Sequence, residues 1–213
     1  PLRLVGSEMC IRDRFIIVDE VYREFIYSNL KHFSILEDKT FFDNAILIDS
    51  TSKRYSLCGA RIGFIVSKNS NFIETCMKFA LARLSPPTVA LIAANNALKS
   101  DNKYIGNVIE EYSTRRKVLI GELSKINNIE FSDPMGAFYS IIKLPVKNAE
   151  EFAKFLLTDF SINNESVMLA PAAGFYSSTD NGKDEVRIAF VLNSEKIKRA
   201  INIINIGLKE YIG

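Results

Sequence analysis

The chain has 213 residues, of which 47% are hydrophobic and 24% charged, and its formal net charge is +2. This ordinary globular composition gives no basic field for nucleic acid, and no apolar run reaches the roughly 18 residues that a membrane span needs. The single histidine, His32, rules out sites built from several histidines, and the three cysteines form no CxxC pair. We therefore expect no metal site, reduced thiols in a cytoplasmic setting, and an ordinary surface role for His32.

The first segment, residues 1–14 (PLRLVGSEMCIRDR), shows no sustained helical or strand period. It is similar to a peptide translated from sequencing-adapter DNA, so we interpret it as a non-native or unrelated leader. A natural surface helix or linker is the alternative.

A continuous apolar run at residues 15–18 is typical of a parallel strand covered on both faces. Asp19-Glu20-Val21-Tyr22 follows it directly. Ligands in open α/β sheets bind at the carboxyl ends of strands, so Asp19 and Tyr22 are candidate site residues. A buried Asp19 needs a cationic partner to stay charged, although an acid at a strand end also commonly caps a turn.

Two further apolar runs predict strands on either side of a polar loop. The loop carries hydroxyl and basic side chains: Ser50, Ser52, Lys53, Arg54 and Arg61. Neighbouring cations favour the neutral, nucleophilic form of a lysine amine, and hydroxyl and guanidinium groups bind phosphate. The pattern favours a phosphorylated aldehyde cofactor held as a Schiff base on Lys53. A solvated basic loop is the alternative that these residues leave open.

Downstream, the hydrophobic pattern predicts five helices and four strands. The helices are residues 71–84, 88–98, 101–126, 148–160 and 194–211, and the strands are 129–132, 137–144, 167–169 and 185–192. The second helix is apolar nearly all round and is expected to be buried, and Asp101 and Asn148 are candidate N-caps. We divide the chain into the leader (1–14), a large-domain part (15–100), a connecting helix (101–126) and a small α+β domain (127–213).

One basic residue, Arg187, lies inside the last apolar strand. Burying an unpaired guanidinium is costly, so this side chain should have an anionic partner. A structural salt bridge and a bidentate bond to a substrate carboxylate are both open.

Four motifs, in this order, resemble those of the fold type I pyridoxal-phosphate-dependent aminotransferases, the class I/II group that includes aspartate aminotransferase. They are Asp19-Glu20-x-Tyr22, Ser50-x-Ser52-Lys53 with Arg61 eight residues later, Gly136-Ala137-Phe138-Tyr139, and Arg187. The resemblance runs from about residue 15 to the end of the chain. It implies an α/β fold: part of the large domain, with a mixed, mostly parallel sheet between helices, and a C-terminal α+β small domain.

The resemblance also implies roles around the cofactor, pyridoxal 5'-phosphate. Lys53 is expected to form the Schiff base and to move the proton during catalysis. Asp19 is expected to pair with the ring nitrogen and Tyr22 to hydrogen-bond the ring oxygen. The phosphate would be held by Ser50, Ser52 and Arg61.

The remaining motifs are implied to bind substrate. Arg187 is expected to bind the α-carboxylate, and Phe138 and Tyr139 to line the pocket, with a plain core role equally open for these two. The reaction implied is transamination between an amino acid and a 2-oxo acid. Aspartate is the favoured donor, and Arg83 is a candidate for the second cation that a dicarboxylic donor requires.

Several alternatives remain open. They are β-elimination or decarboxylation on the same scaffold, a binding module without activity, and an inactive truncated product. In the family the chain extends upstream of the Asp19 strand, and dimer contacts complete each site. We therefore expect this chain to be the C-terminal portion of a homodimeric enzyme, with little transaminase activity alone.

Overall fold

The computed structural model describes residues 14–100, 102–178 and 180–213. The described residues form two compact units, and the division falls between Gly106 and Asn107. Apart from Arg14, the predicted leader lies outside the described residues, as does the N-cap predicted at Asp101. Both units combine strands with helices, so the predicted α/β class is confirmed. Among the described residues, no helix has the length and apolar content needed to cross a bilayer.

The first unit is built on a three-stranded mixed sheet in the order β1-β2-β3. Its strands are β1 (Ile16–Asp19), β2 (Ala45–Ser50) and β3 (Gly63–Val66). β1 pairs with β2 in parallel, and β2 pairs with β3 antiparallel. The helices that follow are α1 (Thr51–Arg54), α2 (Ser70–Arg83) and α3 (Thr88–Leu98), and single 3₁₀ turns lie at Ile35–Glu37, Lys39–Phe41 and Cys58–Ala60.

The central strand β2 supplies most of the buried apolar residues of this sheet: Ala45, Ile46 and Leu47. The prediction that residues 15–18 are covered on both faces is wrong for this chain, since Phe15 is 54% and Ile17 68% exposed. β1 has only β2 as a strand neighbour among the described residues. The described residues therefore cover only part of the apolar side chains in and beside β1.

Two helices of this unit also leave many of their apolar side chains exposed. α2 has no buried residue, and α3, whose predicted bounds are confirmed, buries only Ala94. The prediction that α3 is buried is thus wrong, because no element in the described part of the chain covers side chains such as Val89 and Ile92.

The second unit contains a four-stranded antiparallel sheet in the order β4-β5-β7-β6. Its strands are β4 (Glu130–Phe131), β5 (Tyr139–Lys143), β6 (Ala170–Pro171) and β7 (Glu185–Ala189). The helices are α4 (Asn102–Leu123), in which the division between the units falls, α5 (Ala149–Thr158) and α6 (Ser194–Ile212). The strand predicted at residues 167–169 is wrong in position. Pairing occurs at β6 instead, an edge strand where the missing N–H of proline is tolerated.

Helices α5 and α6 form much of the core of this unit. Their buried residues include Phe152, Leu156, Ile201, Ile204 and Leu208. The two helices approach closely at Gly207, where a Cβ atom would stand 2.7 Å from Leu156 Cδ2. Asn148 caps α5, as predicted, by accepting the N–H groups of Glu150 and Glu151.

Candidate active site

Two segments rich in polar side chains meet at the carboxyl edge of the first sheet. β1 and β2 run parallel with Asp19 opposite Ile48, so their ends lie side by side. β2 leads into α1, a four-residue helix that carries Lys53. The sequence predicted a loop here, but Ser50 starts a helical turn because its Oγ accepts the Ser52 N–H at 3.1 Å.

The hydroxyl groups before Lys53 lie close together. Ser50 Oγ is 2.8 Å from Ser52 Oγ and 2.9 Å from the carbonyl oxygen of Ile62. Ser50 pairs with Gly63 between β2 and β3, so the backbone shortly after Arg61 lies beside these hydroxyl groups. The Arg61 side chain is exposed, and its Nη1 donates to the Cys58 carbonyl at 3.0 Å. The backbone segments that carry Ser50 and Arg61 therefore lie next to each other, as a phosphate site would require. The Arg61 guanidinium, however, bonds to the Cys58 carbonyl.

Arg54 does not act as a bare cation beside Lys53. Its Nη2 lies 2.6 Å from Asp49 Oδ2, and its Nε lies 2.8 Å from Glu24 Oε1. Burial lowers the pKa of Arg54, but the charges of the two carboxylates outweigh burial and leave that pKa above its ordinary value. We expected the charge of Arg54 to favour a neutral Lys53 amine. That expectation is wrong, because Asp49 and Glu24 already compensate the charge of Arg54.

At the end of β1 the two adjacent acids, Asp19 and Glu20, lie in different environments. Asp19 is exposed and its Oδ1 accepts the Val21 N–H at 3.1 Å, so it caps the following turn. Of the two alternatives left open for Asp19, the structure shows the turn cap and not the buried carboxylate; Glu20, 3% exposed, is the buried acid. Tyr22 is half-buried, with its ring centroid 6.1 Å from that of Phe25.

Buried Glu20 is satisfied by several donors. Its carboxylate accepts Ser34 Oγ–H at 2.9 Å and the Ile35 N–H at 3.0 Å, and lies 2.8 Å from His32 Nε2. Burial raises the pKa of Glu20, but these hydrogen bonds together hold it below its ordinary value. His32 is therefore a half-buried partner of Glu20, not the ordinary surface residue that we expected.

In the second unit, the guanidinium of Arg187 lies close to two aromatic rings. Its Cζ is 4.6 Å from the ring centroid of Tyr139 and 4.4 Å from that of Phe175. None of the ion pairs among the described residues includes Arg187, so the structural salt bridge is not observed there. A cavity of about 630 Å³ borders Arg187 and Tyr139 and is otherwise lined mainly by apolar side chains. Phe138 is buried and belongs to the core, with its ring 5.2 Å from that of Tyr112.

Sequence reasoning missed Glu24, Asp49 and Phe175. Asp49 carried a weak signal, since it is a charged residue in an apolar strand run, but Glu24 and Phe175 reach their arginine partners only through tertiary structure. A single sequence gives no pattern for contacts of that kind.

The sequence of this chain matches a known protein family. Residues 9–204 match the model of aminotransferase class I and II. Similar proteins include an aspartate aminotransferase of Pyrococcus horikoshii, 30% identical over 92% of this chain and 48% of its own length. Another is the (5-formylfuran-3-yl)methyl phosphate transaminase of Methanocaldococcus jannaschii, 32% identical over 89% of this chain and 49% of its own.

Among solved structures, the aromatic aminotransferase of Pyrococcus horikoshii matches with a TM-score of 0.83 and 27% identity. That match covers 97% of this chain and 54% of the other. The chain thus spans about half the length of the proteins it matches; the position of that half within them stays a prediction. The family match extends over both units, and the chain therefore belongs to the aminotransferase class I and II family.

Proposed function

We propose that this chain carries the cofactor lysine and the substrate-binding arginine of a pyridoxal-phosphate-dependent transaminase. The cofactor of the family is pyridoxal 5'-phosphate. The observation that carries the proposal is the parallel pairing of β1 and β2, which brings Asp19 and the turn with Lys53 to one edge of the sheet. Ligands in open α/β sheets bind at such an edge.

The side chains at this edge fit the cofactor by their chemistry. Asp19 presents an exposed carboxylate, the partner that a protonated ring nitrogen needs. The hydroxyl groups of Ser50 and Ser52 and the exposed guanidinium of Arg61 are donors suited to a phosphate dianion. Lys53 supplies the amine.

Each of these residues is proposed to transfer a proton or to stabilise a charge on the cofactor. The chemistry supplied by the bound cofactor is an aldehyde that exchanges with amines and an electron-poor ring that accepts the electrons of a cleaved bond. Lys53 takes the proton from the substrate α carbon and returns it in the opposite half-reaction. Asp19 keeps the ring nitrogen protonated, and Tyr22 donates to the ring oxygen.

Arg187 is proposed to bind the α-carboxylate of the substrate. Its guanidinium carbon lies 4.6 Å from the ring centroid of Tyr139 and 4.4 Å from that of Phe175, and its N–H groups are the donors that we propose for the carboxylate. We propose an amino acid and a 2-oxo acid as the substrates, in the manner of a homodimeric family member.

Aspartate is the proposed donor, on the strength of relatives such as the Pyrococcus horikoshii protein. A dicarboxylic donor requires a second cation, for which Arg83 at the end of α2 remains our candidate. The relatives named for other substrates make aromatic amino acids the natural comparison in any assay.

The proposal is tested by following the ¹⁵N-labelled amino group of the substrate into the products. The chain is loaded with pyridoxal phosphate and mixed with ¹⁵N-labelled aspartate or tyrosine, and the products are identified by mass spectrometry. Transamination yields ¹⁵N-pyridoxamine phosphate and the matching 2-oxo acid. Labelled ammonia, or an amine formed with loss of carbon dioxide, would contradict the proposal in favour of a lyase or a decarboxylase.

A further inference from the structure

Arg54, the residue after Lys53, links the two segments that meet at the edge of the first sheet. It contacts Asp49 at the end of β2 at 2.6 Å and Glu24, shortly after β1, at 2.8 Å. The three side chains are only 14%, 10% and 20% exposed, respectively. Asp49 also accepts the Ser50 N–H at 2.7 Å through its other oxygen, which ties the cap of α1 to the same cluster.

The link continues through alternating charges. Arg23 lies 3.8 Å from both Glu24 and Glu20, and Glu20 in turn meets His32 at 2.8 Å. Each carboxylate has a basic partner on at least one side, which offsets the repulsion between the acids. The series therefore runs without a break from β2 to the segment beyond Tyr22.

Stability alone does not account for this arrangement. Desolvation of buried charges offsets much of their attraction, so an apolar cluster of similar volume would serve the fold as well. Among the described residues, Glu24 Oε2 and Arg54 Nε are buried without a hydrogen bond, although Nε and Glu24 Oε1 form a close ion pair. Moreover, α1 has only four residues and is too short to fix its own orientation.

We propose that Arg54 is a positioning residue: by joining Asp49 to Glu24, it fixes α1, and so the Lys53 amine, relative to the end of β1. The planar fork of arginine suits this task because it reaches two carboxylates at once, whereas a lysine reaches one. The inference rests on the proposed role of Lys53.

Hydrogen exchange of the chain without cofactor tests the link directly. In Arg54→Met and in Glu24→Gln, the amides of residues 51–55 should exchange about tenfold faster or more, because local opening no longer breaks the ion pairs. Arg199→Met, which removes an exposed ion pair with Glu165, is the matched control and should leave these amides unchanged. Unchanged exchange at residues 51–55 in both test variants overturns the proposal.

A second measurement separates positioning from folding. The variant Asp49→Asn/Arg54→Met removes one charge of each sign and leaves Glu24 with Arg23 as its partner, so it should fold and melt near the original chain. Its rate of borohydride-trapped attachment of pyridoxal phosphate to Lys53 should nevertheless fall about ten- to a hundredfold, the usual effect of a small misplacement. Arg54→Lys should recover part of the rate. Trapping at the original rate in the double variant would overturn the proposal.

The two measurements also distinguish this inference from the proposed function. If the original chain attaches no more cofactor than Lys53→Ala does, the proposed function fails. Exchange at residues 51–55 then decides by itself whether Arg54 holds α1.

Discussion

Arg187 shows how a single guanidinium can be oriented by ring faces. The guanidinium carbon lies within cation–π distance of both Tyr139 and Phe175, and contacts of this type contribute about 0.5–2 kcal/mol each. A carboxylate bonds to the N–H edge of a guanidinium, whereas a cation–π contact uses its face, so the two kinds of contact are compatible.

We therefore expect Arg187→Met to weaken binding of a 2-oxo acid to the cofactor-loaded chain by about 1.5–3 kcal/mol, the value of a hydrogen bond to a charged group. Phe175→Leu should have a smaller effect, because it removes one restraint and keeps the charge. Calorimetric titration measures both, with Arg199→Met as the control. Equal affinities for the original chain and Arg187→Met would contradict the assignment.

Glu20 gives the first unit a dependence on acid. Because its folded pKa lies below the unfolded value, this carboxylate stabilises the fold above the unfolded pKa, and the contribution is lost as pH falls through the folded pKa. We expect stability to decline below about pH 4.5, the ordinary pKa of glutamate. In Glu20→Gln that part of the decline should be absent.

At neutral pH the same variant should unfold about 1–3 kcal/mol more easily, because the partners of the carboxylate lose a charged acceptor. Urea unfolding at a series of pH values tests both statements. Parallel pH profiles for the original chain and Glu20→Gln would be the contrary result.

At the scale of elements, the contact between α5 and α6 depends on a residue without a side chain. A Cβ at Gly207 would stand 2.7 Å from Leu156 Cδ2 and 3.2 Å from Phe160 Cε1. Gly207→Ala should therefore destabilise the second unit by about 1–3 kcal/mol, the usual cost of overpacking. Gly121→Ala in α4 is the matched control, since nothing lies within 4 Å of its added methyl. It should stabilise by about 0.5–1 kcal/mol through helix propensity alone.

Thermal unfolding of the two glycine variants measures this difference in sign. A Gly207→Ala chain that melts at or above the temperature of Gly121→Ala would show that α5 and α6 move apart without cost.

Elements whose signals are local could be predicted from the sequence. The amphipathic stripe of α6 and the cap of α5 at Asn148 were predicted because their repeat and their hydrogen bonds lie within a few residues of chain. The bounds of α3 were also predicted, since Ser85-Pro86-Pro87 precedes it. The two-residue strand β6 was misplaced because two residues are too few to show a period.

Burial and partners could not be predicted in the same way. An apolar helix is buried only if another element covers it, and the composition of α3 says nothing about that cover. The sequence left open whether Asp19 is buried or caps a turn, because strand alternation decides which of two adjacent acids faces inward. The candidate lysine and arginines were named from their order along the chain, and their roles stay a prediction.

At the scale of the whole molecule, a large apolar surface is uncovered in the described residues. On α2, Phe79 is 74% and Leu81 70% exposed. Soluble proteins rarely expose apolar groups of this size together, and such surfaces associate or bind apolar dyes. The chain spans about half the length of the relatives that it matches.

We expect Phe79→Glu/Leu81→Lys to reduce binding of an apolar fluorescent dye and self-association of the chain, with little change in helix content. The control is Lys78→Glu, which alters charge on the same helix without removing apolar area. Light scattering and dye fluorescence report the effect. Unaltered association in the double variant would show that α2 is not the surface responsible.

We propose Lys53 as the residue to which the cofactor attaches. The most direct measurement is borohydride reduction of the chain with pyridoxal phosphate, followed by peptide mass spectrometry, for the original chain, Lys53→Ala and the exposed-lysine control Lys68→Ala. We expect one modified residue, Lys53, in the original chain and in Lys68→Ala, and no specific modification in Lys53→Ala. Equal modification of many lysines, undiminished in Lys53→Ala, would contradict it.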